Sequence, residues 1–344
     1  MKAVVIHAAG DLRVEDVAAS NPGPNDVEVR IGAGGICGSD LHYYRHGGFG
    51  TVRLKEPMIL GHEIAGTVTA VGTQVTSLVP GQKVAVNPSR ACGVCRFCRE
   101  GLQNHCLDMR FYGSAMRFPH VQGGFRESLT CDAAQAVPVP DHVSLTEAAF
   151  AEPLAVCLHA VTRAGSLLGK RVLVTGAGPI GVLIAAAARR AGALEIVVTD
   201  IVDAPLAIAR TVGVDRTVNV AEAPEGLEAY ERDKGVFDVM FEAAGSAATL
   251  LTGLRVVRPR GLIVQVGQGA EATLPMSLIV TKEVEVRGAF RFHEEFATAV
   301  SFIADRLVDV RPLLTDVVAL DDARRAFDLA SDKSRSMKVQ LAFG

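Results

Sequence analysis

Val172-Leu173-Val174-Thr175-Gly176-Ala177-Gly178-Pro179-Ile180-Gly181 sets a β-branched apolar run against a G-x-G-x-x-G turn, and an Ala/Leu/Ile-rich run to Ala191 follows. A short apolar run, then glycines, then a 3.6-residue period is how a strand, a tight turn and a helix read in sequence. The three glycines differ in purpose. Gly176 makes the turn, Gly178 lets the backbone approach a pyrophosphate, and Gly181 lets the helix pack on the strand. Pro179 suits the first helical position, where free N–H groups and the helix dipole favour a diphosphate. Asp200 closes the next strand pattern, twenty-four residues after Gly176. It is placed to accept hydrogen bonds from a ribose diol and to repel a 2′-phosphate. Ile201, Val202 and Asp203 follow it with no Arg among them, so NAD is expected over NADP. Ile180 in the turn and Gly267 after the 261–266 strand pattern are expected cofactor contacts as well. The competing reading gives these glycines only a packing role.

Outward from that stretch the chain changes texture. From about residue 168, strand patterns at 172–175, 196–199, 218–220, 237–242 and 261–266 alternate with helical patterns at 179–191 and 204–212. That alternation predicts an α/β fold, a doubly wound parallel sheet with helices on both faces. Before residue 150 short strands such as 27–31, 66–71 and 82–86 are divided by Gly, Pro and Asn, which predicts a small barrel or sandwich. After Gly288 come a helix (294–306), a strand (317–319), a helix (321–330) and a last strand (338–341), a tail expected to return to the first unit. The 344 residues suffice for two domains, and 49% of them are hydrophobic. A net charge of −3 without a Lys/Arg-rich run argues against a nucleic-acid partner. The longest apolar stretch, 180–188, is too short to span a bilayer, so no membrane partner is expected. Seven cysteines without a secretory pattern point to the reducing cytoplasm.

Cys92, Cys95, Cys98 and Cys106 fall within fifteen residues at spacings of three, three and eight. Disulfides between such close neighbours close very tight loops, whereas four thiolates at about 2.3 Å from one Zn²⁺ satisfy the geometry. Gly93 and Gly101 let the chain fold back around an ion. Four sulfur ligands leave no open position, so this zinc is read as structural and the chemistry is sought elsewhere. A cluster of buried free thiols is the alternative. Cys131 and Cys157 read as packing residues.

Cys37 lies in Gly35-Ile36-Cys37-Gly38-Ser39-Asp40-Leu41-His42, His62 and Glu63 in Leu60-Gly61-His62-Glu63, and Glu152 in Phe150-Ala151-Glu152-Pro153. A thiolate, an imidazole and a carboxylate make a mixed zinc set with room for one more oxygen. Singly, Cys37 reads as apolar filler, His62 as a hydrogen-bonded structural histidine and Glu152 as a helix-terminus acid. Their conjunction favours the metal.

With the four-cysteine lobe and the glycine turn, these motifs make the chain similar, end to end, to the zinc-dependent medium-chain alcohol and polyol dehydrogenases. Glu152 in Glu-Pro-Leu resembles the sorbitol branch, in which a Glu replaces a thiolate. Val86-Asn87-Pro88-Ser89, the 108–116 segment with Phe118-Pro119-His120, and Gly288-Ala289-Phe290-Arg291-Phe292 resemble the branch acting on the sugar acid L-idonate. The resemblance implies a GroES-like β-rich catalytic domain at 1–154, completed by 290–344, and a Rossmann NAD-binding domain at 155–289. It also implies one catalytic and one structural zinc, a substrate cleft between the domains, and a homodimer or homotetramer. Cys37, His62 and Glu152 become ligands of the catalytic zinc, with Glu63 a ligand or its neighbour. Ser39 and His42 become the relay that carries the substrate proton away, a role suited to an imidazole of pKa about 6.5. A histidine in a surface turn is the other reading of His42. The implied reaction is NAD-dependent oxidation of L-idonate to 5-keto-D-gluconate. A polyol such as sorbitol or xylitol is the alternative substrate, with threonine oxidation or a non-catalytic NAD-binding sensor behind it. A carboxylate on the substrate asks for a cation. Arg110, Arg117, His120, Arg291 and His293 are candidates, Arg291 foremost, unless it only pairs with Glu152. Tyr43 and Phe118 are expected to wall the pocket.

Overall fold

The structure, a computed structural model, describes residues 1–269 and 271–344. β1 (Lys2–Ala8) and β2 (Asp11–Asp16) form an antiparallel pair that turns at Gly10, where φ is +77°. β3 (Asp26–Gly35) shows the period of two expected of a half-buried strand, with Val27, Val29, Ile31 and Ala33 in the core. A nine-residue helix follows, α1 (Gly38–His46). Beyond residue 60 the strands of this half are β4 (Glu63–Val71), β5 (Lys83–Val86), β6 (Ser89–Arg90), β7 (Arg110–Phe111), β8 (Ser128–Asp132) and β9 (Ala136–Pro138). β6 and β7 make a two-stranded ribbon of their own, while β9, β5, β4 and β3 pair in that order and β8 also pairs with β3. The short-strand texture of the first half is therefore a real β layer.

α2 (Ala151–Ala164) leads out of it, with Pro153 in its first turn, where a missing N–H costs nothing. The parallel layer follows: β10 (Arg171–Thr175), α3 (Pro179–Arg190), β11 (Glu195–Asp200), α4 (Asp203–Thr211), β12 (Arg216–Asn219), β13 (Phe237–Glu242), α5 (Ala247–Val256), β14 (Val257–Gln265), α6 (Met276–Lys282) and β15 (Glu285–Gly288). Its order is β12-β11-β10-β13-β14-β15, with every pair parallel. Val172, Val174 and Val198 pack into one apolar cluster, while Leu173, Val197 and Met240 pack into a second on the opposite face. Burial on both faces explains why these strands read as continuous apolar runs and not as alternations. The order reverses between β10 and β13, and in such sheets the crevice beyond the strand ends at that point is where a ligand binds.

α7 (Glu295–Ala304), β16 (Leu314–Ala319), α8 (Ala323–Ala330) and β17 (Lys338–Ala342) complete the chain. β17 pairs antiparallel with β3, Gln340 opposite Gly35, and β16 pairs parallel with β17. The last strand thus lies beside the loop that carries Cys37. α1, α2, α5 and α6 do not appear among the elements expected from sequence. α1 has too few apolar positions for a helical stripe, and the Ala-rich start of α2 runs straight on from the short helix Leu145–Ala148.

Candidate active site and cysteine lobe

β3 ends at Gly35 and the chain bends through Ile36 and Cys37 into α1, pinned by Ile36 N–H donating to the Val339 carbonyl at 3.0 Å. Gly35 is required there, since a Cβ would stand 2.1 Å from Glu63 Oε2. Asp40, in the first turn of α1 and fully buried, joins two segments. Its carboxylate accepts the Cys37 N–H at 3.0 Å and the Gly61 N–H at 3.3 Å, and its Oδ1 lies 3.7 Å from His62 Nδ1. Cys37, His62 and Glu63 consequently place one ligand atom each within 4.8 Å of one another. Glu152 reaches the same buried region from the first turn of α2, although its carboxylate stands outside that tight group.

The charges there are unbalanced in a way that a cation would correct. Burial, then Glu63, pushes the Cys37 thiol up to about 11. Burial also pushes the Glu152 carboxyl up to about 8, with His62 pulling it down and Glu63 and Cys37 raising it further. Among the described residues His62 Nδ1 is buried without a hydrogen-bond partner. A buried thiol and a buried carboxyl whose pKa values burial raises, around an orphaned imidazole nitrogen, form a donor set that suits a zinc ion in exchange for protons. Lys338 supplies a buried cation beside Glu63. Its Nζ donates to Glu63 Oε1 at 2.7 Å, lies 2.6 Å from Oε2, and donates to the Ile36 carbonyl at 3.0 Å.

Ser39 follows Cys37 by two residues, in the first turn of α1. His42, one turn on along α1, is exposed, and burial of part of its ring, then His46, Arg45 and Lys333, lower its pKa. Tyr43 is 1% exposed and its hydroxyl accepts the Ala115 N–H at 3.0 Å, which fixes the 114–116 turn. Arg291 is brought to the same region: its guanidinium stacks 4.1 Å from the Phe111 ring, and Phe111 lies 5.4 Å from the His62 ring. Burial lowers Arg291 to about 10, and it has no ion-pair partner among the described residues, Glu152 included.

The other expected pocket residues go elsewhere. Arg110 is exposed and directly opposite Arg90, on the face of β7 that points away from Phe111, where it lines a surface groove with Asn87, Asp108 and Asp132. Phe118 is 62% exposed, edge-on to His120 at 5.9 Å. Arg117 forms an ion pair with Asp108. His120 is a satisfied internal histidine, accepting the Lys55 N–H at 2.8 Å while its other ring nitrogen meets the Arg117 carbonyl at 2.7 Å. His293 gives its backbone N–H to Glu295 at 2.9 Å. Asp40, Phe111 and Lys338 were not singled out from sequence. The signals were present in two cases, a carboxylate three residues after Cys37 and a lysine inside an apolar strand pattern.

In the cysteine lobe all four ligand atoms lie within 4.8 Å of one another. The Cys95–Cys98 and Cys92–Cys98 sulfur separations are 3.5 and 4.0 Å, bracketing the edge of about 3.8 Å of a tetrahedron with 2.3 Å zinc–sulfur bonds. They are far too long for disulfides. Backbone N–H groups of Cys92, Cys95 and Asp108 donate to lobe sulfurs at 3.2 to 3.3 Å. Those of Leu107, then Cys98, hold the Cys95 thiol down to about 6.

At the glycine turn, Gly176 has φ +90° and a Cβ there would meet the Ala244 nitrogen at 2.9 Å. A Cβ on Gly181 would fall 1.8 Å from the Gly176 carbonyl oxygen, whereas at Gly178 it would meet nothing within 4 Å. Open space over Gly178, at the start of α3 with Pro179 and Ile180 in its first turn, is room for a diphosphate. Asp200 accepts the Ala177 N–H and the Ile201 N–H, both at 2.7 Å, and so ties the turn to the end of β11. Gly267 donates its N–H to the Glu242 carbonyl at 2.8 Å and packs so tightly on Gly245 that a Cβ would stand 2.3 Å from its nitrogen.

Residues 23–141 match the alcohol dehydrogenase GroES-like domain and residues 179–305 the zinc-binding dehydrogenase domain. The chain is 45% identical over 320 residues to L-idonate 5-dehydrogenase (NAD(P)(+)) of Escherichia coli K12, covering 93% of this chain and 92% of that protein. The chain belongs to the zinc-binding alcohol dehydrogenase family. Bovine sorbitol dehydrogenase, another member, is 37% identical over 98% of this chain and 95% of its own. The crystal structure of the Escherichia coli L-idonate 5-dehydrogenase superposes with a TM-score of 0.94 at 43% identity, covering 99% and 98% of the two chains. As a member of this family the protein is an oxidoreductase with the GroES-like and Rossmann architecture, and zinc and a nicotinamide dinucleotide are its cofactors. No helix among the described residues is long and apolar enough to cross a membrane.

Proposed function

We propose that the protein oxidises the secondary alcohol at C5 of L-idonate to 5-keto-D-gluconate, with NAD⁺ taking the hydride and one proton released. The observation that supports the substrate class is Arg291, a half-buried guanidinium with no ion-pair partner among the described residues, stacked on the Phe111 ring that also neighbours His62. A carboxylate of a six-carbon acid meets a ready cation there, and a charge-assisted pair gives strong orientation. The similarity to an enzyme of that name supports the same reading. A polyol is the second reading, supported by the similarity to sorbitol dehydrogenases.

Cys37, His62 and Glu152, with Glu63 beside them, would hold the catalytic zinc, and Cys92, Cys95, Cys98 and Cys106 the structural one. When bound, the catalytic zinc supplies Lewis-acid polarisation of the substrate oxygen. Ser39 Oγ, at the start of α1, takes the proton of that hydroxyl. His42, exposed and with its pKa below the ordinary value, is neutral near pH 7 and can accept that proton for release to solvent. Asp40 orients His62, and Lys338 holds Glu63 in place. Gly176, Gly178, Pro179, Ile180, Gly181 and Gly267 shape the dinucleotide site. Asp200 takes the adenosine ribose and so favours NAD. On this reading the catalytic unit comprises 1–154 and 290–344 and the NAD-binding unit 155–289.

NADH formation by zinc-loaded protein, compared across L-idonate, sorbitol, xylitol and L-threonine with NAD and NADP, tests both choices. The highest kcat/KM is expected for L-idonate with NAD. Equal or better turnover of a polyol would move the assignment to the polyol branch.

The free edge of the parallel sheet, β15, exposes Val286, and the preceding α6 exposes Met276 and Val280. Two copies joined there would cover that apolar edge, so sedimentation equilibrium is expected to show a dimer or a multiple of it. A monomer at micromolar concentration would overturn this. Seven cysteines, five of them read as zinc ligands, accord with a reducing cytoplasmic setting.

A further inference from the structure

Arg291 is held in a cradle built by the cysteine lobe. Asn104 lies between Cys98 and Cys106, in the single turn Gln103–His105, and is itself buried. Its Nδ2 donates to the Phe290 carbonyl oxygen at 3.0 Å across 186 residues of sequence. The His105 ring lies 6.0 Å from the Phe290 ring, and that ring lies 5.0 Å from the Arg291 guanidinium. Phe111, five residues beyond Cys106, covers the guanidinium at 4.1 Å, and Met116 Sδ accepts from its Nη2 at 3.0 Å. Phe111 and Met116 thus touch Arg291 itself, while Asn104 and His105 hold Phe290 beside it.

The geometry at residue 291 makes the Asn104 bond more than a packing contact. Arg291 has φ +55°, in the left-handed region that an L side chain keeps only where its surroundings over-determine it. The Phe290 carbonyl belongs to the peptide plane whose rotation sets that φ. A donor fixed to that oxygen by a buried amide pins the plane, and through it the direction of the Arg291 side chain.

We propose that Asn104 is a positioning residue for recognition of the substrate carboxylate, which makes the cysteine lobe a specificity element as well as a structural one. The proposal rests on the reading of Arg291 given above. Without the Asn104 donor the 290–291 peptide is free to rotate, φ relaxes to negative values and the guanidinium leaves the place where the carboxylate binds. A neutral polyol makes no demand on that charge, so the loss falls on sugar acids.

The test uses Asn104→Leu, similar in size but without a donor, and Asn104→Ser, whose hydroxyl is too short to span the gap. For each variant, kcat and KM are measured with L-idonate and with the best neutral polyol. Calorimetry gives L-idonate affinity for the NADH complex, and zinc content is determined per chain. The expected result in at least one variant that keeps wild-type zinc is a rise of about tenfold or more in KM and Kd for L-idonate. Polyol kinetics should change less than about threefold, and Asn104→Gln, which keeps an amide donor, should recover part of the loss. Equal effects on both substrates, no effect on either, or variants that all lose zinc or fail to fold would reduce Asn104 to a structural residue and overturn the proposal. Wild-type protein that turns over polyols but not L-idonate would instead sink the substrate reading on which the proposal stands.

Discussion

His62→Ala is expected to leave the protein with zinc in the cysteine lobe only, and to lower kcat/KM by about three decades or more. The magnitude follows from the chemistry: Lewis-acid polarisation is worth several kcal/mol of transition-state stabilisation, and each 1.36 kcal/mol is about a factor of ten. Removing one donor also leaves the remaining acids, Cys37, Glu63 and Glu152, facing one another in a space where burial, and then their repulsion, already raises Cys37 and Glu152. The cysteine lobe shares none of these residues, so its zinc should remain. Metal analysis separates the two sites, and NADH binding followed by fluorescence shows that the Rossmann half is intact. Two zinc ions retained at full occupancy, or activity within tenfold of the unaltered protein, would mean that His62 is not a ligand.

The parts of this site that were legible in sequence are those whose partners are close along the chain. The glycine turn works within ten residues, the cysteine lobe within fifteen, and the parallel strands announce themselves because burial on both faces removes their alternation. The Cys37 motif and the His62-Glu63 pair were legible as candidate ligands, because a thiolate and an imidazole beside carboxylates are rare without a chemical role. What stayed hidden depends on contacts that no local pattern encodes. Lys338 meets Glu63 across 275 residues and Asn104 meets Phe290 across 186. Arg110 and Arg291 are alike as sequence, each beside a phenylalanine. Which of them turns toward His62 is decided by the pleat of a two-residue strand and by one residue with positive φ.

Lys338→Met is expected to destabilise the protein by about 3–5 kcal/mol, the cost of leaving a buried carboxylate without its cation. Both side chains are buried, 4% and 2% exposed, and Lys338 also donates to the Ile36 carbonyl next to Cys37. Burial alone lowers the lysine, but Glu63 and Cys37 more than offset it and hold its pKa above the ordinary value, so Lys338 is charged in the folded state. A thermal midpoint lower by on the order of ten degrees corresponds to that loss. Methionine fills most of the volume, so packing contributes little and the effect is electrostatic. The double change Lys338→Met with Glu63→Gln removes the orphaned charge, and should return at least half of the lost stability even if activity stays low, because a buried ion pair and a neutral replacement of similar shape differ little in stability. A double variant no more stable than the single one would show that Lys338 acts by fixing the Ile36-Cys37 bend through its bond to the carbonyl. In that case the C-terminal strand would hold the metal loop by backbone geometry, and not by charge.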